Sequence, residues 1–274
     1  MNRALGFIVI ILVVVACSKS DDTSPLSGNK SKAVYNQAYA ENFEPDNIPD
    51  ILAQAHKAYI LIDPFDNSTF MHIDALKSNG NQVGAYISIG TGETYRSDFS
   101  ELEPYLVSAP WGEWPNEYFV NSTTTGIIEL MKLRIDQIAE WGCDWVEFDN
   151  MDWIFDDELR SIYGFEATPA QGIAYYNTLC DYVHQKGMKC MAKNTVYQAA
   201  NFDGVLYESY HDDKNWWDAS GALDFLSAGK PVIINHYGET DCVQVYADYK
   251  NAYNDDLSFI CEDAVLERYV HFNE

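Results

Sequence analysis

Residues 128–152 read IELMKLRIDQIAEWGCDWVEFDNMD and contain a helical pattern, a stop signal and a strand in direct succession. The apolar positions of the helical part recur at a spacing of three or four residues: Ile128, Met131, Ile135 and Ile138. Gly142 then follows as a helix stop, and the apolar run 144–149 suits a strand buried on both faces. This stretch therefore predicts one helix–strand unit of an α/β fold.

The same unit recurs along the rest of the chain. Apolar runs typical of buried strands lie at 34–38, 59–63, 83–89, 144–149, 189–193, 204–208, 231–235 and 257–261. A second helix is predicted where Thr168-Pro169-Ala170-Gln171 forms a capping box with Pro at the first helical position, and Gly187 ends it. Eight strand–helix units in about 250 residues predict a single (β/α)8 TIM barrel with its catalytic face at the carboxyl ends of the strands.

An open, doubly wound sheet is the alternative fold. No glycine-rich phosphate fingerprint follows the first strand, and Gly90-Thr91-Gly92 lacks the third glycine because Tyr95 stands there. These absences weaken the alternative. The stretch from Thr91 to Asn121 is long and aromatic, as expected of an irregular loop that lines a substrate face.

The first 32 residues are predicted to be a targeting signal followed by a flexible tether. A positively charged start and the apolar run 4–16 precede Cys17, and that run is shorter than the roughly 20 residues that span a bilayer. Val14-Val15-Ala16-Cys17 resembles a bacterial lipobox, which implies cleavage before Cys17 and acylation of its thiol. We therefore expect a signal peptide at 1–16, a lipidated Cys and polar tether at 17–32, and one domain at 33–274. An ordinary signal peptide is the alternative. The expected location is the bacterial cell envelope, with the outer-membrane surface as one possibility, and the lipid anchor as the only membrane contact.

The charge of the chain narrows the class of partner. With 17 Lys and Arg against 42 Asp and Glu, the formal net charge is −25 at pH 7. Such a field repels phosphate backbones, so we expect no nucleic-acid partner, and it attracts cations or a positively charged polymer.

Ionisable side chains cluster where the predicted strands end. These ends read Ile62-Asp63-Pro64-Phe65-Asp66, Val146-Glu147-Phe148-Asp149-Asn150-Met151-Asp152, Lys193-Asn194 and Tyr207-Glu208-Ser209-Tyr210. Alternation along a strand places Glu147 and Asp149 on one face and Phe148 on the other. Packing like charges around a barrel rim costs stability unless a ligand or a reaction uses them.

The segment Trp141 to Asp152 resembles the signature GCDGVEPDNVDGY of glycoside hydrolase family 114, the endo-α-1,4-polygalactosaminidases. Further landmarks arrive in order: 59–66 like IDLFD, 85–88 like CYFSAG, Trp114-Pro115, Lys193-Asn194 like KND, 207–210 like the NEQC region, and Ala228-Gly229-Lys230. The resemblance covers nearly the whole domain and implies a (β/α)8 barrel that cleaves α-1,4 bonds in galactosamine-rich polysaccharide. The sequence departs from the family pattern at four positions: Trp145 and Trp153 stand where Gly is usual, Phe148 replaces a Pro, and Thr195 replaces an Asp. These departures leave the exact sugar open.

The resemblance implies Asp149 and Glu208 as the catalytic pair. Because glycoside hydrolysis needs one carboxyl to protonate the leaving oxygen and another to attack or activate water, we expect Asp149 as nucleophile and Glu208 as acid/base, with retention. Residues expected to bind substrate are Asp63, Asp66, Tyr86, Glu147, Asn150, Asp152, Lys193, Asn194, Tyr210 and Tyr237. Lys193 can alternatively hold Asp149 ionised. Aromatic side chains that suit stacking on sugar rings are Trp111, Trp114, Tyr95, Trp216 and Trp217.

Two functions of different class remain open. One is an endo-acting glycosidase on a partly deacetylated, cationic galactosaminan or another exopolysaccharide, and the other is a catalytically silent glycan-binding lipoprotein. We expect a monomer that uses no cofactor. We also expect no metal site, because the six His residues show no spacing typical of zinc ligands. Cys242 and Cys261 are expected to form a disulfide, and Cys143, Cys180 and Cys190 to be buried thiols.

Overall fold

The computed structural model describes residues 34–36, 38, 47–66, 68–151, 153–194, 201–210, 219–237, 242–253, 257–262 and 269–271. The predicted signal peptide, Cys17 and the tether lie outside the described residues. So do Asp152 and the Trp216-Trp217 pair.

Eight parallel strands build the core of the fold. They are β1, β2, β3, β6, β7, β8, β9 and β10 of the eleven strands in the described residues. The bounds of all eleven are β1 Val34–Asn36, β2 Tyr59–Ile62, β3 Gln82–Ser88, β4 Thr91–Glu93, β5 Glu117–Phe119, β6 Trp145–Asp149, β7 Lys189–Lys193, β8 Gly204–Tyr210, β9 Val232–Tyr237, β10 Ser258–Glu262 and β11 Tyr269–His271. The large sheet runs β1-β2-β3-β6-β7-β8-β9-β10-β11, all neighbours being parallel except the antiparallel β10–β11 pair. Because β1 also lies against β10, the sheet curls into a nearly closed barrel. The prediction of a (β/α)8 barrel and of its eight strands is confirmed.

Helices connect the parallel strands. They are α1 Asn47–Gln54, α2 Ile73–Ser78, α3 Phe99–Leu102, α4 Thr125–Glu140, α5 Asp157–Tyr163, α6 Pro169–Gln185, α7 Ala219–Ser227 and α8 Cys242–Tyr253, with short 3-10 turns at Thr69–His72, Glu103–Tyr105 and Trp153–Phe155. Both helices predicted from the sequence are present as α4 and α6. The Thr168 side chain accepts from the Gln171 N–H, and the Gln171 side chain accepts from the Thr168 N–H, so the capping box is complete.

The core has two layers because barrel strands bury both faces. One layer fills the space between strands and helices, and the other fills the barrel with Tyr59, Leu61, Trp145, Met191 and Leu206. Gly84 is needed in this inner layer, since the Tyr59 hydroxyl occupies the place of a Cβ. The lower barrel is therefore apolar and tightly filled, which leaves polar chemistry to its upper end.

The segment after β3 differs from the irregular loop that the sequence predicts. Strands β4 and β5 pair antiparallel as a separate two-stranded sheet, with Glu93 opposite Glu117. β4 and β5 have three residues each and lie in no continuous apolar run, so the sequence shows no strand pattern there. We refer to these two strands and the residues between them, 91–119, as the β4–β5 hairpin; it covers the carboxyl end of β3 and brings additional side chains to the catalytic face.

Cysteines and helix lengths complete the description. A disulfide joins Cys242 to Cys261, with Cα atoms 5.9 Å apart, and Cys143, Cys180 and Cys190 are buried free thiols. Among the helices of the described ranges, none combines the length and apolarity needed to cross a bilayer.

Candidate active site

Two carboxylates from different strands meet on one ammonium group at the carboxyl end of the barrel. Asp149 ends β6 and Glu208 lies on β8, while Lys193 ends the strand between them. Lys193 Nζ lies 2.8 Å from Asp149 Oδ1 and 3.3 Å from Glu208 Oε2. The two carboxylate oxygens are therefore at most about 6 Å apart, the scale on which a glycosidase carboxyl pair works.

Asp149 is fixed through both of its carboxylate oxygens. The Tyr86 hydroxyl on β3 donates to Asp149 Oδ2 at 2.8 Å, and the Asn150 backbone N–H donates to Oδ1 at 2.7 Å. Asp149 is 9% exposed, so protein covers most of its surface. A carboxylate held by three donors has one orientation, which a nucleophile requires.

Glu208 is held by the neighbouring strand end. Asn194 Nδ2 donates to Glu208 Oε2 at 2.8 Å, and the Glu208 backbone N–H donates to Asn194 Oδ1 at 3.0 Å. Asn194 therefore fixes both the backbone and the carboxylate of Glu208, which explains its place at the end of β7.

Asn150 turns its side chain away from the two carboxylates. Its Nδ2 lies 3.0 Å from Ser88 Oγ, 3.2 Å from Thr91 Oγ1 and 3.4 Å from Glu117 Oε2. The Asn150 carbonyl packs against Gly90, where a Cβ would overlap it, so glycine is needed there. Asn150 therefore links Asp149 to the β4–β5 hairpin.

Burial and charge shift the pKa values of the groups around this centre. Burial alone would lower the pKa of Lys193, but Asp149, Glu208 and Glu147 outweigh it and raise that pKa well above its usual value. Burial and the nearby Asp149 charge raise the pKa of the Tyr86 hydroxyl. Lys193 is thus a permanent cation and Tyr86 a permanent hydrogen-bond donor over the physiological pH range.

Asp63 belongs to a buried ion-pair cluster beside this centre. Arg96 donates to both Asp63 oxygens and, from Nε, to Glu93 Oε2 at 2.9 Å. Burial raises the pKa of Asp63 although Arg96 opposes the shift. Arg134 pairs with Asp98 at 2.7 Å and lies 3.8 Å from Glu93. The structure therefore places the Asp63 carboxylate on Arg96.

Glu147 lies below the open part of the site, and Asp66 lies in the turn that follows β2. Glu147 shares its barrel-facing side with Asp149, as alternation predicts, but it sits one layer deeper and is fully buried. Phe148 faces outward and packs against Phe202. Asp66 is half-buried in the turn after β2, where its carbonyl accepts from the Thr69 N–H. Glu147 thus reaches the site through the Lys193 charge rather than through the cleft.

The remaining predicted contacts fall partly outside the description. Tyr210 and Tyr237 are paired residues of β8 and β9, but their side chains and the whole of Asp152 are not described. Among the predicted stacking residues, Tyr95 is 63% and Trp114 51% exposed, while Trp111 packs against Phe119.

Sequence reasoning missed Glu93, Arg96 and Glu117. All three come from the β4–β5 hairpin, whose strands the sequence pattern does not show, and lie beside Asp63 and Asn150. Glu93 and Glu117 are two of the six acidic residues between Thr91 and Asn121, and this acidic content was the available signal. In the described part of the chain, no three His, Cys, Asp or Glu side chains are grouped to hold a metal ion.

A family comparison decides what this arrangement belongs to. The family model for glycoside-hydrolase family GH114 matches residues 29–273. The chain belongs to this family. GH114 membership agrees with the resemblance of the segment Trp141 to Asp152 and of the landmarks along the rest of the domain.

Solved structures share the fold of this chain. The chain superposes on Ega3 of Aspergillus fumigatus, solved in complex with galactosamine, with a TM-score of 0.69, 24% identity, and coverage of 91% of this chain and 97% of that chain. For the glycoside hydrolase domain of PelA from Pseudomonas aeruginosa the TM-score is 0.61, with 16% identity and coverage of 88% and 98%. No curated protein sequence matches the chain significantly.

Proposed function

We propose that this GH114 member is an endo-acting glycoside hydrolase that cleaves α-1,4-linked, galactosamine-rich polysaccharide with Asp149 and Glu208. The observation that carries the proposal is the convergence of both carboxylates on Lys193 at the carboxyl end of the barrel. Barrel enzymes place their chemistry at this face, and glycoside hydrolysis uses a carboxyl pair across one bond.

In the first step, the Asp149 carboxylate attacks the anomeric carbon while the protonated Glu208 gives its proton to the departing glycosidic oxygen. The bond from carbon to the leaving sugar breaks as the ester bond to Asp149 forms. Lys193, Tyr86 and the Asn150 N–H orient the Asp149 carboxylate for this attack.

In the second step, Glu208 takes a proton from water, the water oxygen attacks the anomeric carbon, and Asp149 leaves as a carboxylate. Two inversions give net retention. The distance of at most about 6 Å between Asp149 Oδ1 and Glu208 Oε2 supports this route. In inverting enzymes the two carboxyl groups stand roughly 6.5–9.5 Å apart, because a water must fit between them.

The substrate class rests on charge and on the relatives. The chain carries a net charge of −25, and a partly deacetylated galactosaminan is cationic at neutral pH. Ega3, a structural relative, was solved with galactosamine bound. For sugar contacts around the pair we propose Asp66, Asp152, Tyr210 and Tyr237, with the exposed rings of Tyr95 and Trp114 as stacking platforms.

The direct test is incubation of the purified protein with α-1,4-galactosaminan, acetylated and deacetylated, followed by mass spectrometry of released oligomers. We expect internal cleavage by wild type and a loss of at least about 10³-fold in Asp149→Asn and Glu208→Gln. Asp224→Asn, on the exposed face of α7, is the matched control and keeps wild-type activity. Binding without products in wild type would overturn the enzyme and favour a glycan-binding protein.

We further propose that the protein is lipid-anchored in the bacterial cell envelope through Cys17. The support is the sequence of residues 1–17, an apolar run that ends in Val14-Val15-Ala16-Cys17. Metabolic labelling with an alkyne fatty acid in a bacterial host should label wild type and spare Cys17→Ala. Equal labelling of both, or of neither, would contradict the anchor.

A further inference from the structure

Glu117 is a half-buried carboxyl group that the proposed mechanism does not use, and it lies where a negative charge is destabilising. It lies directly opposite Glu93 in the β4–β5 pairing, where like charges destabilise a sheet. Glu93 is compensated by Arg96 at 2.9 Å, by Arg134 at 3.8 Å and by the Tyr95 hydroxyl at 2.7 Å. Those two guanidinium groups are also bound to Asp63 and Asp98.

The contacts of Glu117 run toward the candidate active site instead. Thr91 Oγ1 donates to Glu117 Oε2 at 2.6 Å, and Ser88 Oγ lies 2.6 Å from Thr91 Oγ1. Asn150 Nδ2 reaches all three oxygens of this group. Since the Asn150 N–H binds Asp149 Oδ1, only Asn150 stands between Glu117 and the candidate nucleophile.

We propose that Glu117 is a positioning residue for Asp149, which anchors Asn150 and strengthens that anchor when it loses its proton. The donors favour an ionised acceptor: the amide of Asn150 and the hydroxyl of Thr91 both point at Glu117 Oε2. A charged acceptor makes shorter and stronger hydrogen bonds than a neutral one. This inference rests on the proposed function for its effect on catalysis.

The surroundings of Glu117 shift its pKa towards neutral pH. Burial raises the pKa of Glu117 to about 7 against the Thr91 hydrogen bond, with Glu93 and Asp149 raising it and Lys193 lowering it. Other titratable or charged groups around it are Tyr86 on β3, Tyr95 and Arg96 after β4, Tyr118 beside it and Arg134 on α4. Raised pKa values in this cluster keep Tyr86 and Tyr95 neutral and both arginines charged through this range.

The first test compares the pH profile of kcat/KM in wild type and Glu117→Gln on galactosaminan. Because Gln mimics the protonated acid, the two profiles should coincide below about pH 6 and separate by about three- to tenfold above about pH 8, with wild type faster. Glu103 is an exposed acid between β4 and β5, and Glu103→Gln should have the pH profile of wild type at every pH. A constant ratio at every pH would assign Glu117 a structural role and overturn the proposal.

The second test does not need turnover, so it separates this inference from the proposed function. In protein with 13C-labelled aspartate carboxyls, the Asp149 signal should show a step near pH 7 that is absent in Glu117→Gln. The same step in both proteins, or none in wild type, contradicts the link. If wild type is inactive on galactosaminan but still shows the step, the proposed substrate is wrong and the positioning role of Glu117 stands.

Discussion

Asn150 and Asn194 directly follow two adjacent barrel strands, β6 and β7, and share a left-handed backbone conformation with φ 58° at both. Each holds one of the two candidate catalytic carboxylates, Asn150 through its backbone N–H and Asn194 through its side-chain amide. Asn tolerates this conformation better than most residues, since its short polar side chain bonds locally. The sequence suggests sugar-binding roles for both, whereas the structure uses them to orient Asp149 and Glu208.

Substitution of Asn194 separates its backbone role from its side-chain role. Asn194→Ala should lose about 1–2 kcal/mol of unfolding free energy, because Ala is strained in the left-handed conformation and leaves the Glu208 N–H without its acceptor. Asn194→Gly should recover about 1 kcal/mol of that loss, while kcat/KM stays low in both variants. Denaturant unfolding and steady-state kinetics measure the two effects. Recovery of activity in the Gly variant would show that the amide is dispensable.

Lys193 is expected to support both the fold and the reaction. Lys193→Met removes a cation that is 6% exposed and leaves Asp149 and Glu208 facing each other without it. We expect a loss of about 3 kcal/mol at pH 8 and a smaller loss at pH 5, because protonation of a carboxyl relieves the repulsion. Activity should fall by at least about 10²-fold. Lys132→Met, which breaks an exposed pair with Glu129, is the control; equal unfolding curves for the two variants would refute the buried role.

Glu117 should make wild-type stability depend on pH. Its pKa rises from 4.5 in the unfolded chain to about 7 in the fold, so the folded state binds more protons between these values and stability falls as pH rises through them. With allowance for solvent screening, this loss is about 1–2 kcal/mol. The unfolding free energy of Glu117→Gln relative to wild type should therefore increase from pH 4 to pH 7.5. A difference that stays constant with pH would be evidence against the shift.

Salt should weaken binding of a cationic substrate selectively. The net charge of −25 attracts deacetylated galactosaminan at long range, and salt at 0.15 M already limits this attraction to about 8 Å. We expect KM for the deacetylated polymer to rise several-fold between about 0.05 and 0.5 M salt, and KM for the fully acetylated polymer to change little. The same rise for both polymers would remove charge attraction as the reason for the acidic composition.

Most of the barrel was predictable from sequence because its strands are buried on both faces. Such strands read as continuous apolar runs, and the capping box Thr168–Gln171 marks a helix start by its own hydrogen bonds. The β4–β5 hairpin was not predictable, since its strands have three residues each and no repeating pattern.

The site was predictable only in its strand-end residues. Alternation places Glu147 and Asp149 on one face but says nothing about depth, so it could not show that Glu147 is fully buried. Likewise, a carboxylate such as Asp63 reads the same in sequence whether it faces a sugar or an arginine. Its partner Arg96 lies 33 residues away on the hairpin, and only the fold brings them together.

The most direct test of the carboxylate pair is trapping of the covalent intermediate. Glu208→Ala, which lacks the base of the second step, is incubated with an α-galactosaminyl fluoride, whose leaving group needs no acid, and digested for peptide mass spectrometry. The account predicts one galactosamine residue esterified to the peptide that carries Asp149, and none in Glu208→Ala combined with Asp149→Asn. A label on another residue, or an unlabelled protein that releases the β-configured sugar directly, would contradict it.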